Sequence, residues 1–327
     1  MVLTALQTVI TIFVMISAGM FISWRKWVTS DSARLFPKII INIALPAMII
    51  YFFSEHLERR QLFESWLPLV IVFAIAPVSF ILGKLVASIF RVPKERRGVF
   101  AVMFPFSNSM FIGLPVAYAL FAEPGIPFAM FYYLSNTAFF WTLGYYSIRR
   151  DADILSGQQS SISFIEILKK VANPPTITLL AMFAVVLSDI ELPSIIVDTA
   201  RYLNGLTTPL SLLFMGCLIY GMGKTCVKFE KGLIPVMLGR FLLAPGLMFA
   251  ACTAVIILFA DNFPALDLTL MRSVFTVQAG LPVMTQTSII ASHCGADAEY
   301  ATKSFFWTTL VSLATIPLYM LLFESIA

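Results

Sequence analysis

Two copies of one tripeptide, Gly113-Leu114-Pro115 and Gly280-Leu281-Pro282, mark where this chain could do chemistry. Each lies inside an apolar stretch long enough to cross a bilayer. Glycine and proline interrupt a helix, and unpaired backbone groups are costly in hydrocarbon. Such an interruption survives at membrane depth only where it is buried in protein or lines a wet cavity. Half-helices starting at Leu114 and Leu281 would offer N–H groups and positive dipole ends to an anion. Half-helices ending at the breaks would offer carbonyls to a cation or a donor. Two interruptions at matching places in two halves are the best sequence pointer to a transport site.

Polar side chains gather at the same level. Ser107, Asn108 and Ser109 precede the first tripeptide; Gln278, Thr285 and Gln286 flank the second; Asn42 lies one turn before Pro46. Amides and hydroxyls orient a small carboxylate without the desolvation cost of a full charge, although the same groups also hold membrane helices together. Arg240 stands eight residues past Gly232, roughly 12 Å along its helix. It could attract an anionic substrate, stand in for a bound cation and steady the crossover, or snorkel to the headgroups. Lys84, nearer the end of its span, is expected to snorkel.

All 18 acidic residues fall in loops or near span ends, Asp198 being the deepest. A carrier that moves sodium or protons through buried carboxylates would show them at mid-membrane. Four scattered cysteines and two histidines suggest neither a disulfide framework nor a metal site, and no cofactor is expected. A Gly-x-x-x-x-Gly-Lys loop is absent, which argues against a primary pump. A membrane-embedded enzyme would need acidic or histidine clusters near the membrane; Asp151-Ala152-Asp153, in the linker, is the single acidic pair of that sort.

These residues need a membrane scaffold. The chain has 327 residues, 59% hydrophobic and 12% charged, against about 25% charged in soluble domains. Its mean hydropathy is +0.88. About 20 apolar residues cross a bilayer. The apolar stretches predict ten spans, at 4–24, 32–53, 65–90, 98–121, 125–148, 173–189, 194–222, 232–260, 268–292 and 299–323. The first has no basic residue ahead of it and no cleavage site, and reads as a retained helix. The polar stretch 151–172 reads as a cytoplasmic linker carrying a short interfacial helix at 164–170. It would separate five-helix units at 1–150 and 173–327.

Sixteen of the 22 basic residues fall in the loops after odd-numbered spans or in the first turns that follow them. By the positive-inside rule those loops are cytoplasmic and both termini face outward. The net charge of +4 follows from that bias and gives no reason to invoke nucleic acid. Four prolines recur in order: Pro46 with Pro209, Pro68 with Pro235, Pro77 with Pro245, and Pro115 with Pro282, at offsets of 163 to 168. A duplicated unit of five spans must insert upside down relative to its twin, so a 5+5 inverted repeat is expected.

Asn108-Ser109-Met110-Phe111-Ile112-Gly113-Leu114-Pro115 resembles the Asn-x-x-x-x-Gly-x-Pro motif of the auxin efflux carrier family. Asn42-Ile43-Ala44-Leu45-Pro46 resembles its Asn-x-x-Leu-Pro, and Pro282 to Gln286 its ninth-helix Pro-x-x-x-Asn, with glutamine in place of asparagine. The resemblance covers the whole chain. It implies an all-α fold of ten transmembrane helices, an inverted repeat with broken crossover helices four and nine, shared with sodium/proton antiporters and bile acid symporters. It implies a site around Pro115 and Pro282 with Asn108 close by, and a permease for malonate, malate or a related acid, or for an auxin-like acid. A sodium-coupled symporter of the bile acid type is the alternative, and the coupling ion would be a proton or sodium. Related folds often dimerise through the first helices of each repeat, which makes a homodimer an assembly to test. The expected location is the inner cell membrane.

Overall fold

The computed structural model of the protein describes residues 2–33, 35–56, 59, 66–157, 165, 172–221, 223, 228–264 and 266–326. The interfacial helix expected at 164–170 lies, apart from Ile165, outside the described residues. Among those described, the chain is helical, with no strand beyond one isolated bridge. Helix α1 is Val2–Trp24, α2 Leu35–Glu55 and α3 Trp66–Ile89. Then come α4 (Arg97–Val102), α5 (Ser109–Phe121) and α6, which spans 126–156. Helix α7 is Pro174–Leu187, α8 Ser194–Asn204, α9 Thr207–Gly221 and α10 Lys231–Phe259. The last three are α11 (Leu268–Ala279), α12 (Gln286–Cys294) and α13 (Ala298–Ile326).

Among the described residues, five stretches are apolar and long enough to cross a membrane: α2, α3, α8 with α9, α10, and α13 as far as Leu322. Local chemistry sets several ends. Asn173 Oδ1 accepts the Thr176 N–H ahead of Pro174 and Pro175, which need no donor in a first turn. Helix α6 runs through Ser156 to Gly157 at φ 67°, so Asp151 and Asp153 are helical.

Proline acts in two ways here. Pro46, Pro115 and Pro245 each follow a five-residue π-turn, at Ile40–Ala44, Ser109–Gly113 and Gly239–Leu243. In each, the residue before the proline donates its N–H five residues back: Leu45 to Ile40, Leu114 to Ser109 and Ala244 to Gly239. The wider turn accommodates a ring that would otherwise clash with the carbonyl four residues back, and the helix continues. Gly113-Leu114-Pro115 is therefore not a break. The helix that carries it is interrupted earlier, between α4 and α5, around Phe104-Pro105. The second interruption falls at Gly280-Leu281-Pro282 as expected, between α11 and α12.

The helices pack in two groups. In one, α1 crosses α9, while α2 packs on α7 and α8. The α1–α9 crossing is close: a Cβ built on Gly216 would lie 2.0 Å from the Ile16 carbonyl oxygen, and one on Gly19 2.2 Å from that of Leu213. The other group holds both interrupted helices, with α3 and α6 beside the first, α10 and α13 beside the second, and α6 also touching α11 and α12. Helices α1 and α9 meet this second group at α5 and α13. Its interior is rich in phenylalanine, with Phe100, Phe104, Phe106, Phe140 and Phe305 fully enclosed.

Candidate functional site at the helix crossover

The two unwound segments, Met103–Asn108 and Gly280–Thr285, lie against each other as a single antiparallel bridge between Ser107 and Val283. Asn108 N donates to Pro282 O at 2.9 Å, and Met284 N donates to Phe106 O at 3.1 Å. Phe106, Ser107 and Asn108 thus lie opposite Met284, Val283 and Pro282 in turn. Proline disfavours the α-conformation in the residue before it, which stops each helix at this point. Each segment has its own proline, Pro105 and Pro282, and in the antiparallel pairing Pro282 lies opposite Asn108; the expected partner Pro115 sits a helical turn and more beyond.

Each break is clamped by a side chain from the next span along the chain. Asn136 on α6 accepts from Ser107 N at 3.2 Å and donates to Ser107 O at 2.8 Å and Ser109 Oγ at 2.9 Å. On α13, Thr308 Oγ1 accepts from Val283 N at 3.2 Å. A buried unwound backbone needs such partners, since no water is at hand to supply them.

The crossover has two poles. At one, the C-terminal ends of α4 and α11 leave carbonyls without helical donors. Arg240 fills this pole. Its side chain is fully buried and donates Nε to Leu281 O at 2.6 Å, Nη2 to Ala279 O at 2.7 Å, and Nη1 to Phe104 O and, at 3.5 Å, Met103 O. No carboxylate pairs with it among the described residues. Instead, its charge rests on two sets of helix-end carbonyls, the negative ends of two dipoles. Arg240 does not snorkel: of the three roles open to it, the geometry is that of a cation built into the crossover.

At the other pole the N-terminal ends of α5 and α12 meet. Asn108 is the N-cap of α5, its Oδ1 accepting from Phe111 N at 3.3 Å. Its Nδ2 donates to Thr285 Oγ1, at 2.7 Å, on the N-terminal side of α12. Nδ2 also reaches Met215 Sδ of α9 at 3.7 Å. Gln286 opens α12 with its Oε1 buried and without a hydrogen-bond partner among the described residues. Thr285 and Ser288 line a cleft of about 600 Å³ that opens past Ala33, Pro37 and Ser292.

The other expected residues fall as follows. Leu114 N bonds to Ser109 O inside the π-turn, and Leu281 N lies 3.5 Å from Gln278 O. Neither offers a free N–H, so the amide ends lie at Asn108 and Thr285 instead. Gly113 is a packing contact: its carbonyl accepts from Gln278 Nε2 at 2.9 Å, and a Cβ there would lie 2.3 Å from Gln278 Oε1. Gly280 likewise faces Tyr319, whose ring a Cβ would meet at 2.4 Å. Asn42 is not at the crossover. It is exposed, and its Nδ2 folds back to Lys38 O at 2.7 Å. The crossover also brings in Pro105, Asn136 and Thr308; for Pro105 the signal in the sequence is an X-Pro followed within three residues by Ser107-Asn108.

Membrane-length apolar helices packed around two interrupted, crossing ones define a multi-pass membrane protein of the transporter class. The profile of the family described as "Membrane transport protein" matches residues 4–320. The chain belongs to this family, that of the auxin efflux carriers. It is 26% identical over 324 residues to an uncharacterized transporter of Methanocaldococcus jannaschii, covering 96% of this chain and 97% of that one. It is 24% identical over 322 residues to an uncharacterized transporter of Methanothermobacter thermautotrophicus, covering 96% of each.

Proposed function

We propose that the protein is a secondary carrier for a small organic anion, a mono- or dicarboxylate such as malonate or malate or an auxin-like acid. In this reading the chain forms ten spans as an inverted 5+5 repeat, residues 1–150 and 173–327 joined by a cytoplasmic linker. It resides in the inner membrane with both termini outside. The packing of α1 on α9 and of α2 on α7 supports the repeat, since both join the first span of one half to the second span of the other. The group of α1, α2 and α7–α9 would move against the group holding the crossover, giving alternating access.

One observation carries the choice of an anion: Arg240 is fully buried on the carbonyl pole. Each helix end carries roughly half an elementary charge. One guanidinium offsets two negative ends, and the two positive ends at Asn108 and Thr285 are left uncompensated. A carboxylate seated there would be met by Asn108 Nδ2 and the Thr285 hydroxyl at the positive helix ends, with Gln286 orienting it. The 600 Å³ cleft past Thr285 is its route from the cytoplasmic side.

The same observation separates this reading from a sodium-coupled symporter. Arg240 holds helix-end carbonyls that could ligate a sodium ion at the crossover, which supports a carrier whose coupling, where present, is to a proton. The enzyme reading loses its acidic pair, because Asp151 is committed to the Gly98 and Val99 amides at 2.9 and 2.7 Å.

The test is flux of labelled malonate, malate and indole-3-acetate into liposomes carrying the purified protein, with sodium and pH gradients imposed separately. Saturable flux that is indifferent to sodium and lost in Asn108→Ala, with the variant still folded, supports the proposal. Flux that requires sodium, or that Asn108→Ala leaves unchanged, overturns it.

A further inference from the structure

A second polar cavity lies away from the crossover. It is a cleft of about 360 Å³ between α3, the turn before α4, and α6, lined by Lys84, Lys94, Arg97, Arg150 and Asp151 among others. Lys84, Lys94 and Arg97 come from one stretch around the α3–α4 turn, and Arg150 from α6, more than fifty residues on. None of the four forms a salt bridge among the described residues; Lys84 Nζ lies 4.6 Å from the Phe80 ring, and Arg97 Nε donates to Val92 O. Asp151 is the one carboxylate of the lining. It is buried and turned from the cleft into the Gly98 and Val99 amides. Burial raises its carboxyl, and Glu95 acts on it from nearby and raises it further. The cleft therefore concentrates positive charge that its own residues leave unbalanced.

Its surroundings say what could balance it. Lys84 is five residues from the end of α3 at Ile89, roughly 7.5 Å along the axis. That helix turns Ile81 and Leu85 outward, each 56% exposed, on the face that meets lipid. Tyr146 and Ile154 at the rim are exposed as well. Lys84 runs its stem along an apolar helix with its ammonium over the Phe80 ring, and so close to the helix end its long flexible side chain reaches the depth of lipid phosphates. Arginine forks match phosphate oxygens two at a time.

We propose that this cleft binds a phosphate group carried by an anionic phospholipid of the cytoplasmic leaflet. The phosphate sits between Lys84, Arg97 and Arg150, and an acyl chain lies along Ile81 and Leu85. This site is independent of the crossover: it needs neither a carboxylate substrate nor transport.

The test is native mass spectrometry of the full-length protein in detergent, titrated with phosphatidylglycerol, phosphatidylcholine and, separately, inorganic phosphate. The expected result is one tight phosphatidylglycerol site, with phosphatidylcholine and inorganic phosphate much weaker. The double variant Lys84→Gln/Arg150→Gln should weaken that site by about thirtyfold, equivalent to about 1 kcal/mol for each cation removed. Both residues are exposed, so the variant's melting temperature should match wild type. Arg25→Gln/Lys26→Gln, in another basic loop, should leave binding unchanged. Equal affinity for the two lipids, or binding that survives the Lys84/Arg150 change, overturns the site. Inorganic phosphate that displaces phosphatidylglycerol from it overturns the lipid as the source.

Discussion

The carbonyl pole and the amide pole of the crossover are built from the same parts and finished in opposite ways. Both join the ends of two interrupted helices around the Ser107–Val283 bridge. At the carbonyl pole the protein supplies its own counter-charge, and Arg240 closes it completely. At the amide pole it supplies neutral groups, Asn108 and Thr285, and leaves a cleft beside them. A pole that is filled cannot exchange a ligand; a pole that is only capped can. In the proposed function this difference puts exchange at the N-terminal ends of the half-helices, where negative charge would be preferred.

The largest expected effect comes from emptying the filled pole. Arg240→Ala leaves helix-end carbonyls buried without donors, at a cost on the order of 3 kcal/mol or more. Thermal unfolding in detergent should show a much lower melting temperature, partly recovered by Arg240→Lys. An unchanged melting curve would mean that the guanidinium does not hold the crossover together.

Next comes the open pole. Asn108→Ala removes an N-cap and the bond to Thr285, about 1–2 kcal/mol together. Liposome flux should be lost while the protein still folds, and Thr285→Val should reduce it in the same direction. Pro115→Ala, by contrast, changes a residue inside a continuing helix and should keep most of the flux. If Pro115→Ala proved as damaging as Asn108→Ala, the break would lie where the tripeptide predicts.

A smaller effect is expected at the outer end of α4, the half-helix whose inner end meets Arg240. Burial holds the Asp151 carboxyl up at about 6, against the pull of the Val99 and Gly98 amides. A carboxyl raised above its unfolded value near 3.8 binds its proton more tightly in the folded state. That contribution to stability is fully present below the unfolded value and is lost as pH rises through 6. The melting temperature of the wild type should therefore fall between pH 4 and 7, and Asp151→Asn should flatten that slope. The smallest effect is Asn42→Ala. An exposed amide bonded to its own helix should change neither stability nor flux measurably, and a clear loss of flux would bring Asn42 back into the site.

Much of this was legible in the sequence. Long apolar runs made membrane helices unavoidable, because a chain so short of charge has no other way to hide its surface. The second break was readable at Gly280-Leu281-Pro282, where the proline falls at the end of a helix. The first was misplaced because its proline is the same residue in the same tripeptide, yet a π-turn absorbs it. Whether a proline breaks a helix or is accommodated depends on what surrounds the freed carbonyls, and sequence does not carry that information. Asn42 misled for a related reason: like Asn108 it is an amide ahead of a proline, but its side chain bonds back to its own helix.

What the sequence by itself determined is the class and its chemistry: a helical membrane protein with two proline-rich interruptions, amides near them, one deep arginine and no deep acid. Only the tertiary structure decided which ends those residues serve. Arg240 lies 39 and 136 residues from carbonyls it binds, and Asn108 lies 177 from Thr285. Pairings at such separations are set by how the helices pack, because a backbone group in hydrocarbon must find its partner wherever the fold brings one within hydrogen-bond reach.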